Sequence, residues 1–256
     1  MRAATEEKLN RYWYGQESPP AWLRLLTPLY RLGNRIDRRV KTGRQPADLK
    51  EACIIVVGNL TVGGSGKTPL VIRICKLLQA AGLRPGVVSR GYGRSDRDLR
   101  LVSPASDPSV VGDEPLLIAR RTEVPVIVAD DRCEAARKLL EKGVDVIISD
   151  DGLQHYRLPR SIEICVVDGS RGFGNGLSLP AGPLREPLER LDSVDFVVVN
   201  GKGATLPAGL ETVPMTLAPG WLRSLGDTQA WRLSQFAGCR VNAVAGIGNP
   251  SRFFDL

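Results

Sequence analysis

Residues 53 to 68 constrain the fold more than any other stretch of this chain. Cys53 to Val57 is an apolar run of strand length, and a glycine-rich turn follows it. Gly66-Lys67-Thr68 then opens a segment with helical periodicity that runs to about Ala81. A buried strand, a loop lacking Cβ atoms and a helix N-terminus form a ready anion cradle. Gly63, Gly64 and Gly66 let backbone N–H groups turn inward, and Lys67 adds a cation for the β- and γ-phosphates. The Thr68 hydroxyl is placed to ligate Mg²⁺. Thr61, Val62 and Ser65 complete the loop, with Thr61 standing where the general phosphate-loop pattern has glycine.

Downstream, apolar strands alternate with helices. Strands are expected at 85–89, 124–128, 144–149, 162–167 and 194–199, and helices at 113–121 and 132–142. Gly82 and Gly143 close two of the helices. This pattern predicts an α/β fold of the P-loop NTPase type, a mostly parallel sheet with helices on both faces. Residues 169–183, rich in Gly and Pro, read as a long loop. Residues 3–14 and 20–43 read as N-terminal helices, with Pro28 expected to kink the second or divide it in two. After Asn200 the texture becomes Gly- and Pro-rich. A strand is expected at 240–245, and the start of a helix at 251–256. The expected organisation is an N-terminal helical segment (1–44), a phosphate-loop core (45–200), and a linker with an incomplete second α/β lobe (201–256), the chain stopping partway through that lobe.

The 256 residues suffice for one large α/β domain. No apolar run approaches the ~18 to 20 residues that span a bilayer, and no signal peptide is evident. The net charge is +7. Between Trp22 and Arg44, seven basic residues (Arg24, Arg31, Arg35, Arg38, Arg39, Lys41 and Arg44) face one acid, Asp37. Such an excess suits anionic lipid or phosphorylated ligands, and no nucleic-acid-binding motif accompanies it. The five cysteines form no C-x-x-C pair and are expected as buried free thiols; with a single histidine, they make no zinc framework.

Other residues carry chemistry more weakly. Val144 to Asp151 is an apolar strand ending in two carboxylates, about 80 residues after the loop, where a P-loop protein places its Mg²⁺ acid. Asp150 and Asp151 both qualify. Asp113 can accept a proton from a hydroxyl nucleophile or merely cap a helix. Arg90 and Tyr92 lie in a glycine-bracketed turn at a strand end, suited to a phosphate and a sugar or base, or to a plain surface turn. Arg171 and Arg185 flank the Gly/Pro loop and suit a substrate phosphate. His155 follows the acids, either supporting a metal-site residue from behind or as an ordinary loop histidine.

Six segments occur in order: Gly58-Asn-Leu-Thr-Val-Gly-Gly-Ser-Gly-Lys-Thr-Pro69, Ser89-Arg-Gly-Tyr-Gly93, Gly112-Asp-Glu-Pro115, Asp150-Asp-Gly-Leu-Gln-His155, Leu179-Pro-Ala-Gly-Pro-Leu-Arg185 and Ala245-Gly-Ile-Gly-Asn-Pro250. Together they resemble the tetraacyldisaccharide 4'-kinase (lipid A 4'-kinase) family, whose loop also begins with Thr. The resemblance implies transfer of the ATP γ-phosphate to the 4'-hydroxyl of a tetraacylated disaccharide 1-phosphate, giving lipid IVA. It implies Mg²⁺, peripheral attachment at the cytoplasmic face of the bacterial inner membrane, and two α/β lobes joined by a strand linker. It makes Asp113 the catalytic carboxylate, Glu114 a candidate for metal or substrate orientation, and Asp150 and Asp151 metal-site acids. The family continues beyond the Gly-Ile-Gly-Asn-Pro turn into a histidine-bearing segment that this chain lacks. With a lipid substrate, the basic N-terminal helices are expected to meet an anionic membrane surface; no protein partner is indicated. The alternatives are a P-loop GTPase or ATPase switch and a ParA/MinD-type assembly protein. Val199-Asn-Gly-Lys-Gly203 does not read N-K-x-D, and the loop lacks a lysine at its start.

Overall fold

The computed structural model describes residues 2–218, 220–224, 229–245 and 254, with side chains from residue 7 onward. Seven strands run parallel in one eight-stranded sheet: β1 (Cys53–Gly58), β2 (Pro85–Ser89), β4 (Val126–Val128), β5 (Val146–Asp150), β6 (Ile162–Asp168), β7 (Phe196–Asn200) and β8 (Val213–Met215). The eighth, β3 (Arg100–Val102), pairs antiparallel with β4 at the edge. The order is β3-β4-β2-β5-β1-β6-β7-β8. The fold is therefore the α/β, P-loop NTPase-like sheet that the strand–helix alternation predicts.

Strand residues alternate between two cores, as a two-residue period demands. Ile54, Val56, Ile127 and Ile147 join Cys133, Ala136 and Leu139 of α6 (Arg132–Glu141) on one face. Ile55, Val57, Val126 and Ile148 join Val71 and Cys75 of α3 (Lys67–Ala80), and Leu116 and Ile118 of α5 (Asp113–Thr122), on the other. Because β1, β2 and β5 are parallel neighbours, their carboxyl ends deliver residues 58–66, 89–93 and 150–155 to one rim. The α/β rule puts ligands there.

Two helices precede the sheet, α1 (Arg2–Tyr14) and α2 (Ala21–Thr42). Pro28 does not divide α2: the helix is one element around it, on an exposed stretch where water can solvate the carbonyl that proline leaves without a partner. A short helix, α4 (Pro108–Val111), capped by Asp107, precedes α5. A separate antiparallel pair, β9 (Trp221–Arg223) and β10 (Ala230–Arg232), follows the sheet. The strand expected at 240–245 does not form; those residues are irregular and pair with no strand among the described residues. The Gly-Ile-Gly-Asn-Pro turn and the helix start at 251–256 lie outside the described residues, apart from residue 254. Cys75, Cys133 and Cys165 are buried free thiols as expected, whereas Cys53 and Cys239 are exposed. Among the described residues no helix is long and apolar enough to cross a membrane.

α2 is inside out. Leu23, Thr27, Tyr30, Asn34 and Arg38 fall on one helical face at about 100° per residue. That face meets the body through burial of Leu23, hydrogen bonds from Thr27, Tyr30 and Asn34, and the Arg38 guanidinium 5.1 Å from the Tyr156 ring centre. The opposite face carries Leu25, Leu29, Leu32, Ile36 and Val40, all exposed.

Candidate active site

The loop after β1 is held open from beneath. Val62 N–H donates to the Pro183 carbonyl at 2.9 Å, Arg185 N–H donates to the Leu60 carbonyl at 2.6 Å, and buried Thr61 bridges Leu184. Gly63 (φ 106°) and Gly66 (φ 93°) take backbone conformations that side chains resist. Nothing lies within 4 Å of where a Cβ would stand on Gly63 or Gly64, so that wall of the cradle faces open space. Gly66 is the reverse: a Cβ there would lie 2.0 Å from Asn200 Nδ2, which donates to the Ser65 carbonyl at 3.0 Å.

Lys67, mostly buried at the start of α3, donates to Asn59 Oδ1 at 3.2 Å and pairs with Asp151 Oδ1 at 3.5 Å. Asn59 in turn donates to the Gly63 carbonyl at 3.1 Å. Asp151 also accepts from Arg185 Nη1 at 3.3 Å, and these cations hold its carboxyl below the usual range against the opposing effect of burial. Asp150 beside it is fully buried. Burial, helped by Glu114 and Asp151, pushes its carboxyl up to about 7. Ser89 Oγ donates to Asp150 Oδ2 at 3.5 Å, while Asp150 Oδ1 has no hydrogen-bond partner among the described residues. Glu114 is open to solvent, yet the protein around it raises its carboxyl; Lys67 opposes this, and Asp151 and Asp113 add to it.

The acids of α5 reach this cluster by backbone packing. Gly91 sits where a Cβ would be 2.6 Å from the Val111 carbonyl, and a Cβ on Gly112 (φ 90°) would be 3.0 Å from Gly91 Cα. The Ser89–Gly93 turn therefore lies directly against the N-terminus of α5, beside exposed Asp113.

The structure thus gathers Lys67, Asp150, Asp151, Glu114 and Arg185 into one electrostatic cluster. Arg90 and Tyr92 stand exposed on the adjoining turn, Tyr92 without a hydrogen bond or ring contact among the described residues. The Arg171 guanidinium lies 5.0 Å from the centre of the Tyr14 ring, whose hydroxyl donates to the Val62 carbonyl. His155 is neutral: burial, then Arg132, push it down to about 3, and its Nε2 is buried without a partner.

Sequence reasoning missed three participants. Arg132, buried at the start of α6 with Nε unpartnered, feels Asp151, Asp150 and Arg90. It opens α6 after the turn that follows β4, where the sequence shows only an ordinary helix start. Asn59 follows β1 directly. Asn200 ends β7 and braces the loop from far along the chain, which spacing alone does not disclose. A cavity of about 570 Å³ lies elsewhere, between α1, α2 and residues 175–181, lined by Tyr12, Arg24, Thr27 and Leu177 among others.

A glycine-walled cradle on β1, a lysine and threonine opening α3, and paired acids ending β5 define a P-loop nucleotide-dependent phosphotransferase. The family model described as tetraacyldisaccharide-1-P 4'-kinase matches residues 20–256. The tetraacyldisaccharide 4'-kinase of Alkalilimnicola ehrlichii is 50% identical, the match covering 96% of this chain and 75% of that protein. The enzyme of that name from Stenotrophomonas maltophilia is 48% identical, covering 96% and 74%. The crystal structure of LpxK from Aquifex aeolicus in complex with ATP superposes with a TM-score of 0.70 at 28% identity, covering 90% of this chain and 75% of that one. The chain belongs to the tetraacyldisaccharide-1-phosphate 4'-kinase family.

Proposed function

We propose that this chain transfers the γ-phosphate of ATP to the 4'-hydroxyl of a tetraacyldisaccharide 1-phosphate, giving lipid IVA, and that Asp113 receives the hydroxyl proton. The observation that carries the reading is the convergence of Lys67, Asp150, Asp151 and Glu114 around an open glycine loop.

The loop amides and the N-terminus of α3 bind the β- and γ-phosphates. Lys67 exchanges its contact with Asp151 for the phosphate oxygens and stabilises charge that develops on them. The 4'-oxygen forms the new bond to the γ-phosphorus. The bridging bond to the β-phosphate breaks, its electron pair leaving with ADP, and the proton passes to Asp113 late in the transfer. Thr68, Asp150, Asp151 and Glu114 are the residues that would hold Mg²⁺. The fit rests on hard oxygen donors and on the unpartnered, buried Asp150 Oδ1. An ion held there would supply charge neutralisation for the β- and γ-phosphates. Arg90, Arg185 and Arg171 supply cations for the substrate's own phosphate, with Tyr92 open to pack on a sugar.

The exposed apolar face of α2 reads as a lipid-interface surface flanked by arginines, which makes the protein peripheral on the cytoplasmic face of the inner membrane. Residues 1–44 then serve as the lipid-contacting segment, 45–200 as the kinase core, and 201–256 as a linker with part of a second lobe.

The test uses radiolabelled ATP, Mg²⁺ and the tetraacyl disaccharide in detergent micelles. Label should enter the lipid, and Asp113→Ala should abolish it while a fluorescent ATP analogue still binds. GTP hydrolysis without labelled lipid would reject the reading in favour of a switch protein. Reversing the charge of Arg35 and Arg39 should release the protein from anionic vesicles; Arg38 is unsuitable because it also covers Tyr156.

A further inference from the structure

The inverted face of α2 places side chains of the lipid-facing helix in hydrogen-bond contact with the machinery that holds nucleotide. Tyr30 Oη donates to the Arg185 carbonyl at 3.1 Å, and Asn34 Nδ2 donates to the same oxygen. The other groups of Arg185 are committed to the active site. Its N–H donates to the Leu60 carbonyl at the base of the phosphate loop, and its guanidinium donates to Asp151 and to Gln154 Oε1. Asp151 is the acid that pairs with Lys67. One residue therefore joins α2, the loop and the metal-site acid within three covalently or hydrogen-bonded steps.

We propose that Tyr30 and Asn34 are positioning residues that couple engagement of a lipid surface by α2 to nucleotide affinity at the phosphate loop. The proposal rests on the reading of the exposed face of α2 as a lipid surface.

The physical case has two parts. First, α2 has a loose seat. Only Leu23 on it is buried, and hydrogen bonds from Thr27, Tyr30 and Asn34, the Arg31–Glu189 ion pair and the Arg38 ring contact help set the orientation of the helix. Burying Leu25, Leu29, Leu32, Ile36 and Val40 in a lipid interface adds a force on that orientation comparable to those bonds. Second, the Arg185 carbonyl is the point where that orientation is read. A shift of α2 moves residue 185, whose guanidinium decides how far Asp151 is drawn from Lys67. Freed from Asp151, Lys67 is available to the phosphates. Coupling of this kind is reciprocal, so nucleotide must also strengthen lipid engagement by the same factor.

The experiment measures the Kd of a fluorescent ATP analogue for the whole chain, with and without vesicles of phosphatidylethanolamine and phosphatidylglycerol, alongside co-sedimentation. Vesicles should tighten analogue binding by about fivefold or more in the unmodified protein. In Tyr30→Phe/Asn34→Ala, co-sedimentation should persist, while the analogue Kd no longer responds to vesicles. A mere loss of packing would change both Kd values together and leave their ratio intact. A protein that sediments with vesicles but shows no change in Kd overturns the coupling alone. So does a double variant that keeps the full vesicle response. A protein that fails to sediment with vesicles overturns the lipid-surface reading of α2, and the coupling with it.

Discussion

Two clusters of buried charge sit on this sheet, and they are built from the same residue types to opposite ends. In one, Arg190 pairs with Glu163 and lies 3.6 Å from Glu186, Arg160 adds a 2.6 Å bond to Glu163, and the Tyr156 hydroxyl donates to Glu186. Arg190 also donates to Ser193 Oγ at 2.6 Å. Two guanidinium groups meet two carboxylates, and none of these side chains has a buried polar atom lacking a partner. In the other, around the phosphate loop, Asp150 Oδ1, Arg132 Nε, Ser65 Oγ and Asn200 Oδ1 are buried and have no hydrogen-bond partner among the described residues. The desolvation cost is comparable per group, and only the first cluster recovers it within the chain. Unmet polarity around the loop fits the proposed nucleotide and metal site, whereas met polarity makes a structural joint.

That contrast can be broken from either side. Lys67→Ala should lower kcat/KM for ATP by about 10³-fold, since it removes a preorganised cation from the transferring phosphate. Its urea unfolding midpoint should hold or rise. A loss of stability comparable to the loss of rate would show Lys67 to be a strut. Arg190→Met should do the converse. It leaves Glu163 and Glu186 short of a buried partner and should cost about 3 kcal/mol in urea unfolding. The KM for ATP of the remaining folded protein should be unchanged.

A finer test uses pH, with divalent ions removed. Asp150 titrates near 7 in the folded chain against an ordinary 3.8. Between these values the folded state holds a proton that the unfolded state has released, so this group makes stability fall as pH rises. His155 titrates near 3 when folded against an ordinary 6.5. In that window the unfolded state holds the extra proton, so this group makes stability fall as pH drops. The two slopes oppose each other over most of their range. Asp150→Asn should unmask the histidine, giving a protein more stable at about pH 7.5 than at about pH 5 in urea. His155→Gln should tilt the profile the other way, because it leaves the Asp150 slope unopposed. Parallel profiles in both variants would place the charge coupling elsewhere. Last, Mg²⁺ affinity should rise through about pH 7 in the unmodified protein, because the Asp150 proton must leave before an ion binds.

Much of this architecture was legible because chemistry and backbone demand coincide. The loop needs glycines where φ is positive and where Asn200 leaves no room, and the sequence has them at 63 and 66. Asp150 and Asp151 end an apolar run, so a strand-end position was evident. What stayed hidden depended on contacts between distant segments. Arg132 looks like an ordinary helix start until burial sets it among the acids. The edge strand β3 is three residues between polar turns, too short to register as a period. Residues 240–245 show the opposite failure: a stretch with strand texture that pairs with no strand among the described residues. For α2, periodicity disclosed an amphipathic helix but not that its polar side would face the protein.

Asp151 occupies the left-handed region at φ 50°, a conformation that glycine adopts with less strain. The chain tolerates this bend because Lys67 and Arg185 grip the carboxylate from two directions. Asp151→Gly would relax the turn and at the same time discard the anion between those cations. One side chain thus fixes two things at once, the direction of the chain leaving β5 and the spacing of two cations.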